Sequence, residues 1–259
     1  MSAMTPIQLK ARDGVDLHGY LTLPASQPKN APLIVYLHGG PHGVRDHWEY
    51  QDDVQFLASR GYAVLQVNFR GSGGYGGHFE YQGHHQWGDK MIKDIVDATR
   101  WTLKNHPVNS DKICTMGGSY GAFAALSAAV EAPEMFDCVI GISGVYDLEL
   151  LSHDTDIVKS SSGDYYLKEV LGTDKKQLQA QSPINHLDKL TAPMLIIHGK
   201  KDKRTPLEQA EQLQQKFDAK KHPYQWMLMD LEAHGVYKPE NRVKMYQKIE
   251  AFLKQYLGS

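Results

Sequence analysis

The chain is short of several things, and each shortage removes a class of protein. Cysteine occurs twice in 259 residues, at Cys114 and Cys138, which excludes a disulfide-dense secreted scaffold. Both lie inside apolar runs, without the CxxC or Cys/His spacing of a metal site. They are expected to be buried free thiols in reducing, cytoplasmic surroundings. No apolar run reaches the length of about 18 residues that a membrane-spanning helix needs. The first residues, MSAMTPIQLKARDG, lack the basic-then-apolar pattern of an export leader, which again points to the cytoplasm. Net charge is only −2 with both signs interspersed, so neither nucleic acid nor an anionic membrane is expected as a partner. Low-complexity tracts and internal repeats are also missing, and nothing in the sequence excludes a homo-oligomer.

What is present suits one α/β unit spanning 1–259. The chain is 41% hydrophobic and 22% charged, enough for a large core. IQLKARDGVDLHGYLTL alternates in polarity around Asp13-Gly14, a hairpin signal. After the polar connection ASQPKNAP comes LIVYLHGG, a continuous apolar strand of the kind buried on both faces. DHWEYQDDVQFLASRG then reads as an amphipathic helix stopped at Gly61. YAVLQVNF, DKICTMG, MFDCVIGISG, APMLIIHG and YQWMLMD read as further strands. Between and after them lie helical patterns, among them DKMIKDIVDATRWTLK, SYGAFAALSAAVEA, LEQAEQLQQKF and RVKMYQKIEAFLKQYL. Strands alternating with helices predict a mainly parallel, eight-stranded sheet with helices on both faces. One irregular span, 145–190, holds short helical patterns at most and is expected to be a cap or insert that shapes a pocket.

Chemistry enters at GGSYG, which fits G-x-S-x-G where a buried strand passes into a helix. A turn this sharp leaves no room for side chains at Gly117 and Gly121. It presents the Ser119 hydroxyl at a helix N-terminus, where free N–H groups favour negative charge. A serine needs a base to take its proton, and the base needs an orienting acid. The chain order for such a turn is serine, acid, histidine. Asp202 follows the strand APMLIIHG, and His234 follows YQWMLMD, both at the strand ends where ligands gather. His198 is the rival base and Asp147 the rival acid, while Asp230 reads as a strand end. A carbonyl oxygen becoming an anion needs donors. The backbone N–H of Tyr120 and, in the loop HGGPHG, that of Gly40 are expected to serve.

Other motifs carry less. GSGGYG (Gly71 to Gly76) matches the dinucleotide fingerprint G-x-G-x-x-G, but the segment after it reads as helix and offers no strand for the acid that grips a ribose. It is expected instead to brace the active edge, together with Arg70. His78, His84 and His85 have no metal-ligand spacing. KDKR reads as a surface loop around the acid. The expectation is therefore no cofactor and no metal.

Taken in order, HGGPHG, VLQVNFRGSGGYGGHF, WGDKMIKDI, GGSYGAFAAL, HGKKDKRTP and EAHG resemble the catalytic domain of the prolyl oligopeptidase family, in its acylaminoacyl-peptidase-like branch. The likeness runs over about residues 7–257. It implies an α/β-hydrolase fold, nucleophile Ser119, acid Asp202, base His234 and oxyanion donors at Gly40 and Tyr120. The chain departs from the family in Ala122-Phe123, where a second glycine and an aromatic are common, and in having no segment able to form a β-propeller. The expected activity is hydrolysis of an ester or of a short peptide through an acyl-enzyme. A small-ester carboxylesterase, an acyltransferase and a non-catalytic binding relative are the alternatives.

Overall fold

Alternate residues of the central strands face two different cores, and this fixes the layering. On β3 (Ala31–Leu37), Leu33, Val35 and Leu37 enter one core while Ile34 faces the other. The computed structural model describes residues 1–26, 29–153 and 155–258. Gln27 and Pro28 of the ASQPKNAP connection and Asp154 of the irregular span lie outside the described residues. Around β3 the remaining strands are β1 (Met4–Lys10), β2 (Asp16–Thr22), β4 (Ala63–Asn68), β5 (Val108–Gly118), β6 (Cys138–Ile142), β7 (Met194–Gly199) and β8 (Tyr224–Met229). They form one eight-stranded sheet in the order β1-β2-β4-β3-β5-β6-β7-β8. The first two strands pair antiparallel, as the Asp13-Gly14 hairpin predicts, and β3 to β8 run parallel.

The helices are α1 (Asp52–Ser59), α2 (Gly77–Tyr81), α3 (Lys90–Asn105), α4 (Tyr120–Glu131), α5 (Leu148–Leu151), α6 (Ser161–Leu171), α7 (Lys175–Gln181), α8 (Leu207–Lys220) and α9 (Pro239–Leu257). Apolar residues of α1 and α9 cover one face of the sheet, and those of α3, α4 and α8 cover the other. This is the doubly covered parallel sheet of an α/β-hydrolase fold. The irregular span resolves into α5, α6, α7 and a short 3-10 turn at Pro183–Asn185, of which only α6 exceeds two turns.

Two expectations need correction. The helix read over 46–61 begins only at Asp52. Upstream, Asn68 holds the Asp46 backbone on both sides, accepting from its N–H at 2.8 Å and donating to its carbonyl at 3.1 Å. Those bonds compete with a helical ladder. The cysteines are not free: Cys114 and Cys138 are register partners on β5 and β6, with Cα atoms 4.6 Å apart, and form a disulfide. Pairing depends on strand register, which two separate apolar runs do not reveal. The thiol argument for a reducing compartment goes with it.

Candidate active site

β5 ends in Gly117-Gly118, and α4 begins one residue after Ser119. Ser119 sits between them with φ of 58°, a conformation that non-glycine residues rarely adopt. The turn is as tight as the glycine spacing requires. A Cβ on Gly121 would lie 2.1 Å from the Leu37 carbonyl oxygen, and one on Gly117 would lie 2.5 Å from the Gly121 backbone. Backbone cannot move aside as a side chain can. Ser119 is further tied by its N–H, which donates to the Ile142 carbonyl at 2.9 Å.

The three separated side chains meet. His234 Nδ1 lies 2.8 Å from Asp202 Oδ2, and His234 Nε2 lies 3.1 Å from Ser119 Oγ. Burial alone would raise the Asp202 carboxyl, yet hydrogen bonds from His234 and Thr205 hold it below the ordinary range. An ionised carboxylate can only accept, so Nδ1 carries the ring proton. Nε2 then presents a lone pair to the serine O–H. Asp202 is only 6% exposed, and its other oxygen accepts from the N–H groups of Arg204 and Thr205, each at 2.9 Å.

Gly40 follows β3 and has φ of 107°, and its bond to Pro41 is cis. A Cβ there would meet Val44 at 2.1 Å. Gly40, Ser119, Tyr120 and His234 border one cavity of about 370 Å³. The Tyr120 N–H opens α4 and is one of the donors that a helix leaves without a partner in its first turn. Its ring is buried, with the hydroxyl donating to the Trp87 carbonyl at 3.1 Å. The apolar wall comes from Trp87 and from the 145–190 span, through Val145, Leu151, Ile157, Tyr166 and Leu167.

The rivals are occupied elsewhere. His198 is fully buried, which pushes its pKa down, and its Nε2 donates to the Thr205 carbonyl at 2.9 Å. Asp147 caps α5 by accepting from the N–H groups of Glu149 and Leu150. Asp230 is exposed and pairs with Lys200 at 3.4 Å. GSGGYG runs into α2 and α3 with no strand between, and it rests on the HGGPHG loop. Ser72 Oγ lies 2.9 Å from His38 Nε2, and the Gly73 N–H donates to the Val44 carbonyl. Arg70 binds both Asp94 and Asp13, as a bracing role requires. Among the described residues, no group of three or more His, Cys, Asp or Glu is placed to hold a metal ion.

Sequence reading missed Thr205. Its hydroxyl lies 2.7 Å from Asp202 Oδ2, 3.1 Å from His234 Nδ1 and 2.9 Å from the Ser143 carbonyl. Its place three residues after the acid was the only available signal. Trp87 and the wall residues were missed because nothing in their spacing distinguishes a pocket wall from a core.

Comparison with known proteins agrees with this architecture. The model of the prolyl oligopeptidase family matches residues 48–259. A dipeptidyl aminopeptidase BIII of Pseudoxanthomonas mexicana is 36% identical over 98% of this chain and 38% of its own length. Dipeptidyl peptidase family member 6 of Caenorhabditis elegans is 33% identical over 96% of this chain and 37% of its own length. The acylaminoacyl peptidase of Pyrococcus horikoshii superposes with a TM-score of 0.92 at 26% identity, covering 100% of this chain and 42% of that one. A puromycin-hydrolyzing peptidase of Mycobacterium tuberculosis gives 0.92 at 26% identity, over 99% and 40%. The chain thus spans well under half the length of the relatives it matches.

Proposed function

The chain belongs to the prolyl oligopeptidase family, and on that premise we propose that it is a serine hydrolase cleaving peptide or ester bonds through an acyl-enzyme on Ser119. The observation that carries this reading is the continuous hydrogen-bonded line from Ser119 Oγ through His234 to Asp202. In the proposed reaction Ser119 Oγ attacks the carbonyl carbon while His234 Nε2 takes its proton. Asp202 keeps the ring oriented and stabilises the imidazolium that forms. The N–H groups of Gly40 and Tyr120 receive the negative charge on the former carbonyl oxygen. His234 then returns the proton to the departing amine or alcohol, and the carbonyl re-forms as the acyl-enzyme. Water, deprotonated by the same ring, releases the acid and restores Ser119.

The cavity wall argues for an apolar group beside the scissile carbonyl. Relatives named as dipeptidyl aminopeptidases and acylaminoacyl peptidases favour a short peptide over a simple ester. A panel of p-nitrophenyl esters, acyl-peptide anilides and prolyl anilides tests the reading. Turnover of at least one class is expected, falling on the order of 10⁶-fold in a folded Ser119→Ala variant. Undiminished turnover by that variant would contradict it.

A further inference from the structure

Glu232 stands two residues before His234 on the loop between β8 and α9, and it is only 2% exposed. Carboxylates are seldom buried this completely without a set of donors. Here the donors lie on the far side of the histidine. One oxygen accepts from the Tyr237 N–H at 3.0 Å, and the other from the Lys238 N–H at 3.2 Å and from Asn241 Nδ2 at 2.6 Å. The side chain therefore closes a ring of backbone with His234 inside it, and anchors that ring to the first turn of α9. The Glu232 backbone points the other way: its carbonyl accepts from the Lys201 N–H at 2.9 Å, one residue before Asp202. Beneath the ring β7 ends at Gly199, where a Cβ would lie 2.2 Å from the Ala233 carbonyl oxygen and 2.8 Å from that of Glu232.

One residue thus joins the loop bearing the acid, the loop bearing the histidine and the start of α9. The His234 side chain is 29% exposed, so close packing does not hold the ring by itself. We propose that Glu232 is a positioning residue for the hydrolysis, fixing the His234 loop so that Nε2 faces Ser119 Oγ; this rests on the reading of His234 as the base. Glutamine at this position would keep the volume but set an amide NH₂ against N–H donors. The loop would loosen where small misplacements of a reacting group are expensive in rate.

The test measures, for the whole chain, kcat and KM on a p-nitrophenyl ester, together with the rate and the end point of labelling by a fluorophosphonate. For Glu232→Gln, kcat and the labelling rate are expected to fall together by about tenfold, with KM within about twofold and every site eventually labelled. Asn241→Ala removes one donor from the far side and is expected to lower the same two rates by about two- to fourfold. It decides the matter if the glutamine variant does not fold. A reduced end point whose remaining sites react at the wild-type rate would mean a purely structural role and overturn the proposal. So would unchanged rates in Glu232→Gln, or in Asn241→Ala where that variant decides, while His234→Ala is inactive. A His234→Ala variant that still labels at the wild-type rate would instead overturn the assignment of the base.

Discussion

His42, the second histidine of HGGPHG, shows how a single side chain fixes a loop and ties its stability to pH. Its Nε2 accepts from Trp87 Nε1–H at 3.0 Å, and its Nδ1 donates to the Gly71 carbonyl at 3.2 Å. That bonding pattern requires the neutral ring. Burial, with the nearby His84 adding to it, lowers its pKa from the ordinary 6.5 to about 4. A group whose native pKa is depressed contributes stability that is complete above its unfolded value and lost as pH falls toward its native value. The His42 contribution is therefore present above about 6.5 and fades between 6.5 and 4. Half-buried His38 and buried His198 are shifted the same way, so the informative quantity is a difference between proteins. Urea midpoints at pH 7.5 and pH 4.5 are expected to differ less in His42→Phe than in the wild type. Equal differences would remove His42 from the account. This role is not legible in the sequence, because its hydrogen-bond partners Gly71 and Trp87 lie in two other segments of the chain.

Among the elements, the brace under the active edge gives the clearest energetic statement. Arg70 stands two residues after β4 with its side chain 4% exposed, and the Asp94 side chain on α3 is fully buried. Two bonds between their side chains, at 2.8 and 2.6 Å, join strand to helix, and Asp13 of the first hairpin closes the other side. Removing one member of such a pair strands a buried charge. Arg70→Ala is expected to lose about 3–5 kcal/mol in urea unfolding, and a loss under about 1 kcal/mol would show the pair to be dispensable. The sequence made this brace legible because GSGGYG has no other use once the following segment reads as helix. The span 145–190 behaved oppositely. Its helices have 4, 11 and 7 residues, too few turns for α5 and α7 to display a period. Leu151 of α5 and Tyr166 and Leu167 of α6 serve the cavity wall, so apolar residues there follow the shape of the cavity and no regular face.

At the scale of the molecule, the sheet does the assembling. Parallel strands place their C-terminal ends along one edge, and β3, β5, β7 and β8 deliver Gly40, Ser119, Asp202 and His234 to it. Chain order and strand identity therefore make the candidate site legible in the sequence, since each of these residues lies at or shortly after the end of a strand of the parallel set. What they did not carry was lateral register. The Cys114–Cys138 bond depends on which residue of β5 faces which of β6, and the Asp46–Asn68 contact depends on how a loop folds back over β4. Glu232 belongs to the same class: buried charges read as surface until their donors are located.

The most direct measurement is site-resolved labelling of the intact chain by a fluorophosphonate, read by mass spectrometry of its peptides. The account predicts a single adduct on the peptide containing Ser119, absent from Ser119→Ala and strongly slowed in His234→Ala. An adduct on another serine, or equal labelling of Ser119 without the imidazole, would contradict it.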